Sequence, residues 1–379
     1  MSDPVPKIPW QLLTGEYPPR PGGISDHSAQ VAEGLARAGF PVHIWTNDAG
    51  EPPPLDGVIV HRLANPWSGA GLRRLSRMLD EFRAPRRLLV QYTPNAWGYK
   101  GLNVGFARWL GSRKDRGDEI RLLIHEPWYR PEPWDRPWRY VLPPVQRLML
   151  SSILKVSSHV YVTIPYWERM LRPLAPSAKF VWLPVPSNVP FVDDPEGVTA
   201  IRRKIADAGT LVVGTFGTYR EEIAPRLRAV LPPLFSKPGR VGLLIGRNGP
   251  AFALTLGCDP AKVVATGGLS PREVALHLQA CDVLIQPYRD GVTSRRGTVM
   301  AGLCQGIAVV TTSGKMTESV WAERSCVALA PEDDPASLVE KAEVLLADPE
   351  ARRNLGSLGK RVYVQEFALE RTMEILLKD

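Results

Sequence analysis

The sequence contains little cysteine and no long apolar run. Its 379 residues include 4 cysteines, Cys258, Cys281, Cys304 and Cys326, and none of them lies close to another in the sequence. This spacing favours neither a zinc site nor a disulfide framework, so we expect reduced, partly buried thiols. No segment approaches the roughly 18 consecutive apolar residues that indicate a membrane-spanning helix. Since the N-terminus also lacks an apolar signal core, we expect a cytoplasmic protein.

Two further absences restrict the chemistry. No Asp-x-Asp sequence occurs, so nothing suggests a metal held by adjacent carboxylates, and we expect neither a metal nor another bound cofactor. The formal net charge of +8 fits a nucleic acid, an anionic membrane surface or a phosphorylated small molecule as partner. Because the positive charge is mostly arginine, spread along the chain without a compact basic tail, we do not expect a nucleic-acid partner.

The order of the apolar segments predicts two α/β domains. The chain is long enough for two domains with separate cores. Segments 8–14, 24–38 and 42–46 have the patterns of a strand, a helix and a strand, which together form a βαβ unit of a parallel sheet. A similar pattern begins again after a loop rich in Pro, Ser and Asn. We therefore expect an N-terminal domain over 1–188 and a C-terminal domain over 189–360, followed by a long amphipathic helix.

The segment 287–298 carries the strongest functional signal. It reads Pro-Tyr-Arg-Asp-Gly-Val-Thr-Ser-Arg-Arg-Gly-Thr, and it connects a predicted strand to a predicted helix. Such a turn presents free backbone N–H groups, and the helix dipole adds partial positive charge there. With Arg295 and Arg296 beside the turn, it is a candidate diphosphate site, and Asp290 could bind sugar hydroxyls. The alternative is a basic surface turn.

Three other strand ends offer weaker candidates. Gly22 and Gly23 lie between the first strand and its helix, where paired glycines let the backbone approach a ligand, although no G-x-G-x-x-G or Walker motif is present. His125 ends an apolar strand, a position well suited to chemistry. Arg220 follows the first strand of the second half and could reach a phosphate. Their structural alternatives are a tight turn, a structural histidine and a surface arginine.

Taken together, these features resemble the retaining glycosyltransferases of family 4, which have the GT-B architecture. The likeness extends from Leu-Thr-Gly-Glu-Tyr-Pro-Pro at 13–19 and the glycine pair to the end of the chain. It implies an α/β fold of two Rossmann-like, doubly wound parallel-sheet domains facing a cleft, with a helix at 361–379 crossing back to the N-terminal domain. It also implies a nucleotide-diphosphate-sugar donor held mainly by the C-terminal domain. The acceptor, a glycan, a lipid-linked glycan or a small molecule, is then held mainly by the N-terminal domain.

The resemblance assigns roles by position. Gly23 would lie beneath the donor diphosphate, His125 near the transferred sugar, and Asp290 in place of the first glutamate of the E-x7-E motif. The turn 291–297 would meet the phosphates through its backbone N–H groups. The expected catalytic residues are His125, Asp290 and Arg220. The expected donor-binding residues are Gly22, Gly23, Gly217, Thr218, Ser294, Arg295, Arg296, Gly297 and Thr298.

Two departures from the family pattern affect the donor site. Thr298 stands where the second motif glutamate would grip the ribose, and a threonine cannot offer a bidentate carboxylate. Only Arg220 is near the position where the family commonly has both an arginine and a lysine. Arg295 and Arg296 could supply the missing charge. The Ser-Arg-Arg-Gly sequence at 294–297 resembles a variant loop in a subset of these enzymes. We therefore expect that the variant loop replaces the missing family residues and that the function is retained.

Candidate acceptor residues lie near two strand ends of the N-terminal half. Asp26 and His27 start the first helix, and Tyr92 and Asn95 lie at and after the end of another strand. All four could bind acceptor hydroxyls. As alternatives, Asp26 could cap the helix and Asn95 could order a turn.

Tryptophan and arginine alternate at the start of the segment 128–154, and an apolar helix that reaches Leu154 follows them. This composition is typical of a peripheral contact with the inner face of an anionic membrane. It also suits the binding of a lipid-linked acceptor. The alternative is a helix packed on its own domain. The alternating residues are Trp128, Arg130, Trp134, Arg136, Trp138 and Arg139.

The leading functional hypothesis is a retaining glycosyltransferase that needs no metal. A second hypothesis keeps the fold but changes the chemistry to that of a sugar-nucleotide epimerase or a sugar-phosphate synthase. A third is a degenerate GT-B protein that binds nucleotide or glycan without turnover, and it is motivated by Thr298.

Overall fold

The computed structural model describes residues 7–47, 50–133 and 135–378. The chain divides into two compact units. The first unit comprises Met1–Pro184 together with Thr372–Asp379, and the second comprises Val185–Arg371. Each unit contains one parallel sheet with connecting helices, so the predicted α/β class with two Rossmann-like domains is confirmed.

The first unit is built on a seven-stranded sheet with the order β3-β2-β1-β4-β5-β6-β7. Every pairing is parallel, and β1 and most of β5 are fully buried, as expected for strands covered on both faces. The strands are β1 (Trp10–Leu13), β2 (Val42–Asn47), β3 (Val58–Leu63), β4 (Arg87–Tyr92), β5 (Glu119–Ile124), β6 (His159–Val162) and β7 (Phe180–Trp182). The helices are α1 (Gly23–Arg37), α2 (Gly69–Asp80), α3 (Val104–Asp115), α4 (Leu142–Val156) and α5 (Pro165–Leu171).

The second unit repeats this plan with six strands in the order β10-β9-β8-β11-β12-β13, again all parallel. The strands are β8 (Leu211–Phe216), β9 (Arg240–Ile245), β10 (Val263–Ala265), β11 (Val283–Gln286), β12 (Ala308–Ser313) and β13 (Ala328–Pro331). The helices up to the middle of the unit are α6 (Pro195–Ile205), α7 (Ala224–Phe235), α8 (Gly249–Ala253) and α9 (Pro271–Gln279). The later helices are α10 (Gly297–Gln305), α11 (Val320–Glu323), α12 (Pro335–Ala347) and α13 (Pro349–Val362).

Helix α10 illustrates how the sequence sets these elements. Its residues from Val299 to Gln305 are all buried, which matches an apolar helix inside a two-layer core. It ends at Gly306, whose φ of 76° is a left-handed conformation that glycine adopts without strain. The small Gly302 lets the helix approach the sheet, because a Cβ there would lie 2.6 Å from a methyl carbon of Leu284.

The end of the chain differs from the prediction of one helix over 361–379. Helix α13 ends at Val362, a π-helical turn spans Tyr363–Phe367, and α14 (Leu369–Leu377) follows. The π turn buries both Tyr363 and Phe367, and the N–H of Ala368 donates to the carbonyl of Tyr363 at 2.9 Å. An extended Ala368 (ψ 160°) then separates the helices. Residue 379 lies outside the described residues.

The last turns of α14 pack in the first unit. A guanidinium nitrogen of Arg121 donates to the carbonyl of Leu376 at 3.0 Å. A Cβ on Gly34 of α1 would lie 2.6 Å from the sulfur of Met373, so glycine is what permits this close contact. Leu376 is fully buried in the core beneath β1 and α1.

Two further expectations concern cysteines and membrane spans. All four cysteines are free, and three of them are buried while Cys258 is half-buried, as the sequence predicts. Within the described part of the chain, no helix is both long and apolar enough to cross a membrane.

Candidate functional site

The strand order of the second sheet reverses between β8 and β11, which are neighbours in the sheet. Ligands of open α/β sheets bind at the carboxyl ends of the strands at such a switch point. The predicted residues 217–220 follow β8, and 288–298 follow β11. The amide of Gln286 donates to the carbonyl of Phe216 at 2.9 Å, and a Cβ on Gly217 would lie 3.8 Å from the Thr298 methyl. The structure therefore brings these two predicted loops together.

The loop after β11 is anchored by a buried carboxylate that sequence reasoning missed. The backbone N–H and the hydroxyl of Ser294 both donate to Oε1 of Glu318, at 2.8 and 2.6 Å. The indole N–H of Trp321 donates to Oε2 at 2.7 Å. Burial raises the pKa of Glu318, which these three donors partly offset. Ser294 thus shapes the loop through Glu318, 24 positions away, and no local motif could have indicated this pair.

Two arginines lie half-buried at the start of α10. The guanidinium of Arg296 lies over the ring of Tyr288, 4.6 Å from its centroid, a cation–π contact that holds it in place. The side chain of the N-cap residue of α10, Arg296, makes no capping hydrogen bond with the helix. Such a helix end with adjacent arginines has the donors and the charge that a diphosphate requires.

The hydroxyl of Thr298 is paired with a neighbouring phenol. It lies 2.5 Å from the hydroxyl of Tyr288. Burial raises the pKa of Tyr288 to about 12, so the phenol keeps its proton at neutral pH. Tyr288 therefore orients both Thr298 and Arg296, a role that the sequence did not suggest.

Asp290 lies at a cavity of 590 Å³ that also involves Arg226, Arg289 and Lys315. The ammonium of Lys315 is 3.1 Å from Oδ1 of Asp290. Gly291, with φ 82°, lies so close to the loop after β12 that a Cβ would be 2.3 Å from the nitrogen of Gly314. The sequence did not identify Lys315, which follows β12 without a recognisable motif.

The loop after β8 buries the side chain of Tyr219 and exposes those of Thr218 and Arg220. Tyr219 has φ 52°, and its buried hydroxyl is 2.9 Å from the carbonyls of both Thr215 and Ile245. The carbonyl of Thr218 accepts from the amide of Asn248 at 2.9 Å. Arg220 is exposed, a position compatible with phosphate binding and also with the surface alternative.

In the first unit, His27 and His125 lie together. Their rings are 5.0 Å apart in an edge-to-face arrangement, and Nε2 of His125 is 2.7 Å from the amide oxygen of Gln91. Both histidines are buried. Burial lowers the pKa of His27 to about 4, so its imidazole is neutral at physiological pH.

The glycine pair and Asp26 lie at the start of the same helix as His27. Gly22 is the N-cap residue of α1, and a Cβ on it would lie 2.8 Å from a carboxylate oxygen of Glu16. Gly23 is exposed, and a Cβ there would meet nothing within 4 Å. Asp26 is half-buried in the first turn of α1. The space above Gly23 is thus compatible with a ligand.

The two predicted acceptor residues near the end of β4 differ in accessibility. Tyr92 is fully buried, and this burial raises the pKa of its phenol. It belongs to the core of the unit because it is still part of the apolar strand, and its predicted contact with the acceptor stays a prediction. Asn95, in the 3-10 turn Pro94–Trp97, is exposed and borders a second cavity of 450 Å³.

The segment 128–154 divides into a buried and an exposed part. Trp128 is buried, and α4 buries an apolar face that includes Ile153 and Leu154, which agrees with the structural alternative. Exposed apolar side chains nevertheless remain around the 3-10 turn Pro137–Val141 and on α4. They are Trp138, Tyr140, Val141 and Leu148. Trp134 lies outside the described residues.

No group of three or more His, Cys, Asp or Glu side chains that could hold a metal ion occurs among the described residues.

Part of the chain matches a known family, and nearly all of it matches known folds. Residues 208–348 match the family model described as glycosyl transferases group 1. No curated protein sequence matches the chain. Among solved structures, a sucrose-phosphate synthase from Thermosynechococcus elongatus superimposes with a TM-score of 0.73 at 18% sequence identity, over 98% of each chain.

Two further solved structures have similar folds. WaaG, a glycosyltransferase involved in lipopolysaccharide biosynthesis, has a TM-score of 0.68 at 13% identity, over 98% of this chain and 100% of that one. HepE from Anabaena, in complex with UDP-glucose, has a TM-score of 0.66 at 13% identity, over 98% of this chain and 99% of that one. The fold is therefore GT-B, and the match within the second unit supports the enzyme class of a group 1 glycosyltransferase.

Proposed function

We propose that this protein is a glycosyltransferase of the family 4 type. It moves a sugar from a nucleoside-diphosphate sugar to an acceptor hydroxyl, with retention at the anomeric carbon and without a metal ion. The observation that carries the proposal is the loop 288–298 at the switch point of the second sheet, which contains Asp290 and ends with Arg295 and Arg296 at the start of α10.

The charge distribution of this loop suits a departing diphosphate. When the bond from the anomeric carbon to the diphosphate breaks, negative charge grows on the leaving oxygen. Fixed guanidinium groups and helix N–H donors stabilise such charge without reorganisation. Arg295 and Arg296 would provide the guanidinium groups, and Arg220 could add a third from the loop after β8. Asp290, 3.1 Å from Lys315, would accept hydrogen bonds from sugar hydroxyls.

The donor to test first is a uridine diphosphate sugar. Structures of HepE contain UDP and UDP-glucose, and its fold is similar to that of this chain. The ribose contact of the second motif glutamate would be replaced by the paired hydroxyls of Thr298 and Tyr288. The roles predicted for Gly22, Gly23, Asp26, His27 and His125 stay predictions.

Thermal stabilisation by nucleotides tests donor binding. A ligand that binds only the native state raises the melting temperature. We expect one of UDP, GDP, ADP and dTDP to do so equally in EDTA and in MgCl₂. Arg296→Ala should remove this stabilisation, whereas Arg353→Ala, an exposed arginine on α13 of the same unit, should leave it unchanged. Stabilisation only with a divalent ion would contradict the metal-free mechanism, and the absence of any stabilisation would contradict the nucleotide donor.

Turnover separates the alternatives. A transferase releases nucleoside diphosphate only when an acceptor is present, and the NMR spectrum of its product reports the anomeric configuration. An epimerase would instead alter the donor sugar without acceptor. Asp290→Ala should abolish turnover while nucleotide stabilisation persists. If the wild-type protein binds nucleotide but gives no turnover with any acceptor, the degenerate binding protein is the better account.

We further propose peripheral contact with the inner face of an anionic membrane through the exposed side chains of 138–148. Trp138 and Leu148 are 45% and 65% exposed, and Arg136 and Arg147 are exposed near them. Co-sedimentation with vesicles of phosphatidylglycerol and phosphatidylcholine should fall for Trp138→Ala and Leu148→Ala. It should not change for Leu254→Ala, an 87% exposed leucine in the second unit. Equal binding of all four proteins would refute the contact.

A further inference from the structure

The first unit contains a cavity of 450 Å³ formed by the end of β2 and by the loops after β1, β3 and β4. We call it the β1–β4 cavity. Gly15, Asn47, Asn65 and Asn95 lie at successive strand ends around it. Its volume lies within the range of about 300 to 1,000 Å³ that is typical of small-molecule sites. It lies at the carboxyl edge of the sheet, where ligands of this fold class bind.

The walls of this cavity are held in place by buried contacts. The amide nitrogen of Asn103 donates to the carbonyls of Trp67 and Trp97, at 2.8 and 2.7 Å. Trp97 stacks on Phe106 with centroids 4.1 Å apart. A Cβ on Gly15 would lie 2.5 Å from the carbonyl oxygen of Ala96, so the loops after β1 and β4 are in direct contact. A site fixed in this way loses little entropy when a ligand binds.

Unusual backbone conformations are concentrated at the cavity. Five non-glycine residues have a positive φ among those described, and Asn65 (49°) and Tyr99 (50°) both border the cavity. Lys100 (54°) follows directly. Such conformations cost free energy and cluster at ligand sites, where the surrounding structure enforces them.

The lining carries groups that can form hydrogen bonds with a polar ligand. The carboxamides of Asn65 and Asn95 and the carboxylate of Glu16 supply donors and acceptors. The ring of Tyr99 is 62% exposed and offers an apolar surface. Amides and a carboxylate match the hydroxyls of a sugar, and an aromatic ring matches its C–H face.

The charge of the lining discriminates between sugars. Glu16 and Arg20 contribute opposite charges that lie 4.0 Å apart, and no other acidic or basic side chain lines the cavity in the described structure. A phosphate would need an excess of positive charge. The cavity therefore suits an uncharged sugar.

We propose that the β1–β4 cavity binds an uncharged sugar unit of the acceptor, which makes the acceptor a glycan and not a sugar phosphate. The term acceptor rests on the proposed transferase function, but the sugar site rests on the cavity alone. The sugar would stack on Tyr99 and donate and accept hydrogen bonds at Asn65 and Asn95.

Direct binding tests this proposal with the full chain. The labelled protein is applied to a microarray of neutral and phosphorylated glycans, and hits are titrated by saturation-transfer NMR beside glucose 6-phosphate. Tyr99→Asn removes the aromatic ring, and Asn65→Gly removes the carboxamide. Both replacement residues tolerate the positive φ of these positions. Each should weaken binding of the best neutral glycan about fivefold. Ile59→Asn, at an exposed apolar residue on β3 outside the cavity lining, should not change it.

The outcomes are distinct from those of the donor test. Neutral glycan binding without stabilisation by any nucleotide would keep the cavity assignment and overturn the proposed function. Nucleotide stabilisation without binding of any neutral glycan would overturn the cavity assignment alone. Stronger binding of phosphorylated sugars, or equal binding by Tyr99→Asn and wild type, would also overturn it.

Discussion

The two units use the same sheet plan but differ in the chemistry of their strand ends. In each sheet, the first strand lies between the second and fourth strands of its unit. The loops of the first unit bring together buried histidines, carboxamides and indoles, whereas those of the second bring together arginines, a lysine and carboxylates. Since the scaffold is shared, the ligand that each unit favours is determined by its loops.

Individual buried groups of the two units should also contribute to the pH dependence of stability with opposite signs. In the first unit, burial lowers the pKa values of His27 and His61 to about 4. The folded state then binds fewer protons than the unfolded state between pH 4 and 6.5, so stability falls as the solution is acidified through this window. In the second unit, burial raises the pKa of Glu318. The folded state therefore binds more protons at Glu318 than the unfolded state does. Because of this group, the free energy of unfolding falls as pH rises above the ordinary pKa of a glutamate.

The largest expected effect is this loss of stability of the first unit in acid. Between pH 6.5 and 4, His27 alone should contribute about 3 kcal/mol. Hydrogen exchange resolved by peptide should show this as faster exchange in β1, α1 and β4. His27→Gln should flatten the dependence, whereas His277→Gln on α9 should preserve it. An unchanged pH slope in His27→Gln would mean that His27 does not titrate as the structure implies.

The second-largest expected effect follows from removal of the Glu318 carboxylate, which anchors the loop 288–298. Glu318→Ala leaves the N–H of Ser294 and the indole of Trp321 buried without an acceptor, which should cost about 2 to 3 kcal/mol. Urea unfolding should report this loss, and nucleotide stabilisation should weaken while glycan binding persists.

The isosteric Glu318→Gln variant keeps one acceptor oxygen, so its stability should be intermediate. It should also lack the loss of stability at rising pH that the carboxylate causes. If Glu318→Ala unfolds like the wild type and binds nucleotide equally, the loop after β11 does not depend on this anchor.

In the first unit, Asn103 anchors loops as Glu318 does in the second. Its removal should weaken the binding of glycan and not that of nucleotide. Asn103→Ala removes the two bonds to Trp67 and Trp97 and a third to the N–H of Phe106 at 2.9 Å. We expect a loss of about 2 kcal/mol in the free energy of unfolding. Glycan binding should fall and nucleotide stabilisation should stay. A variant that loses both ligands equally would contradict the separation of the two sites.

How far the sequence predicts this molecule depends on the range of the interaction concerned. Apolar runs and glycine turns are local, so the strands β1, β2, β8 and β11 and the loop 288–298 could be predicted from them. Glu318 and Asn103 could not, because each acts on residues distant in sequence through buried hydrogen bonds. The π turn at Tyr363–Phe367 likewise arises from burial of two aromatic side chains, not from a helix-breaking residue.

The smallest expected effect concerns the paired hydroxyls of Tyr288 and Thr298 in the loop 288–298. Tyr288→Phe removes the bond to Thr298 but keeps the ring beneath Arg296. Stability should fall by about 1 kcal/mol, and nucleotide binding should change little if Arg296 dominates. Tyr288→Leu removes the ring as well, so it should weaken binding further by loss of the cation–π contact. If Tyr288→Phe instead weakens nucleotide binding as much as Arg296→Ala, the paired hydroxyls, and not the arginine, are the main contact of the second unit with its ligand.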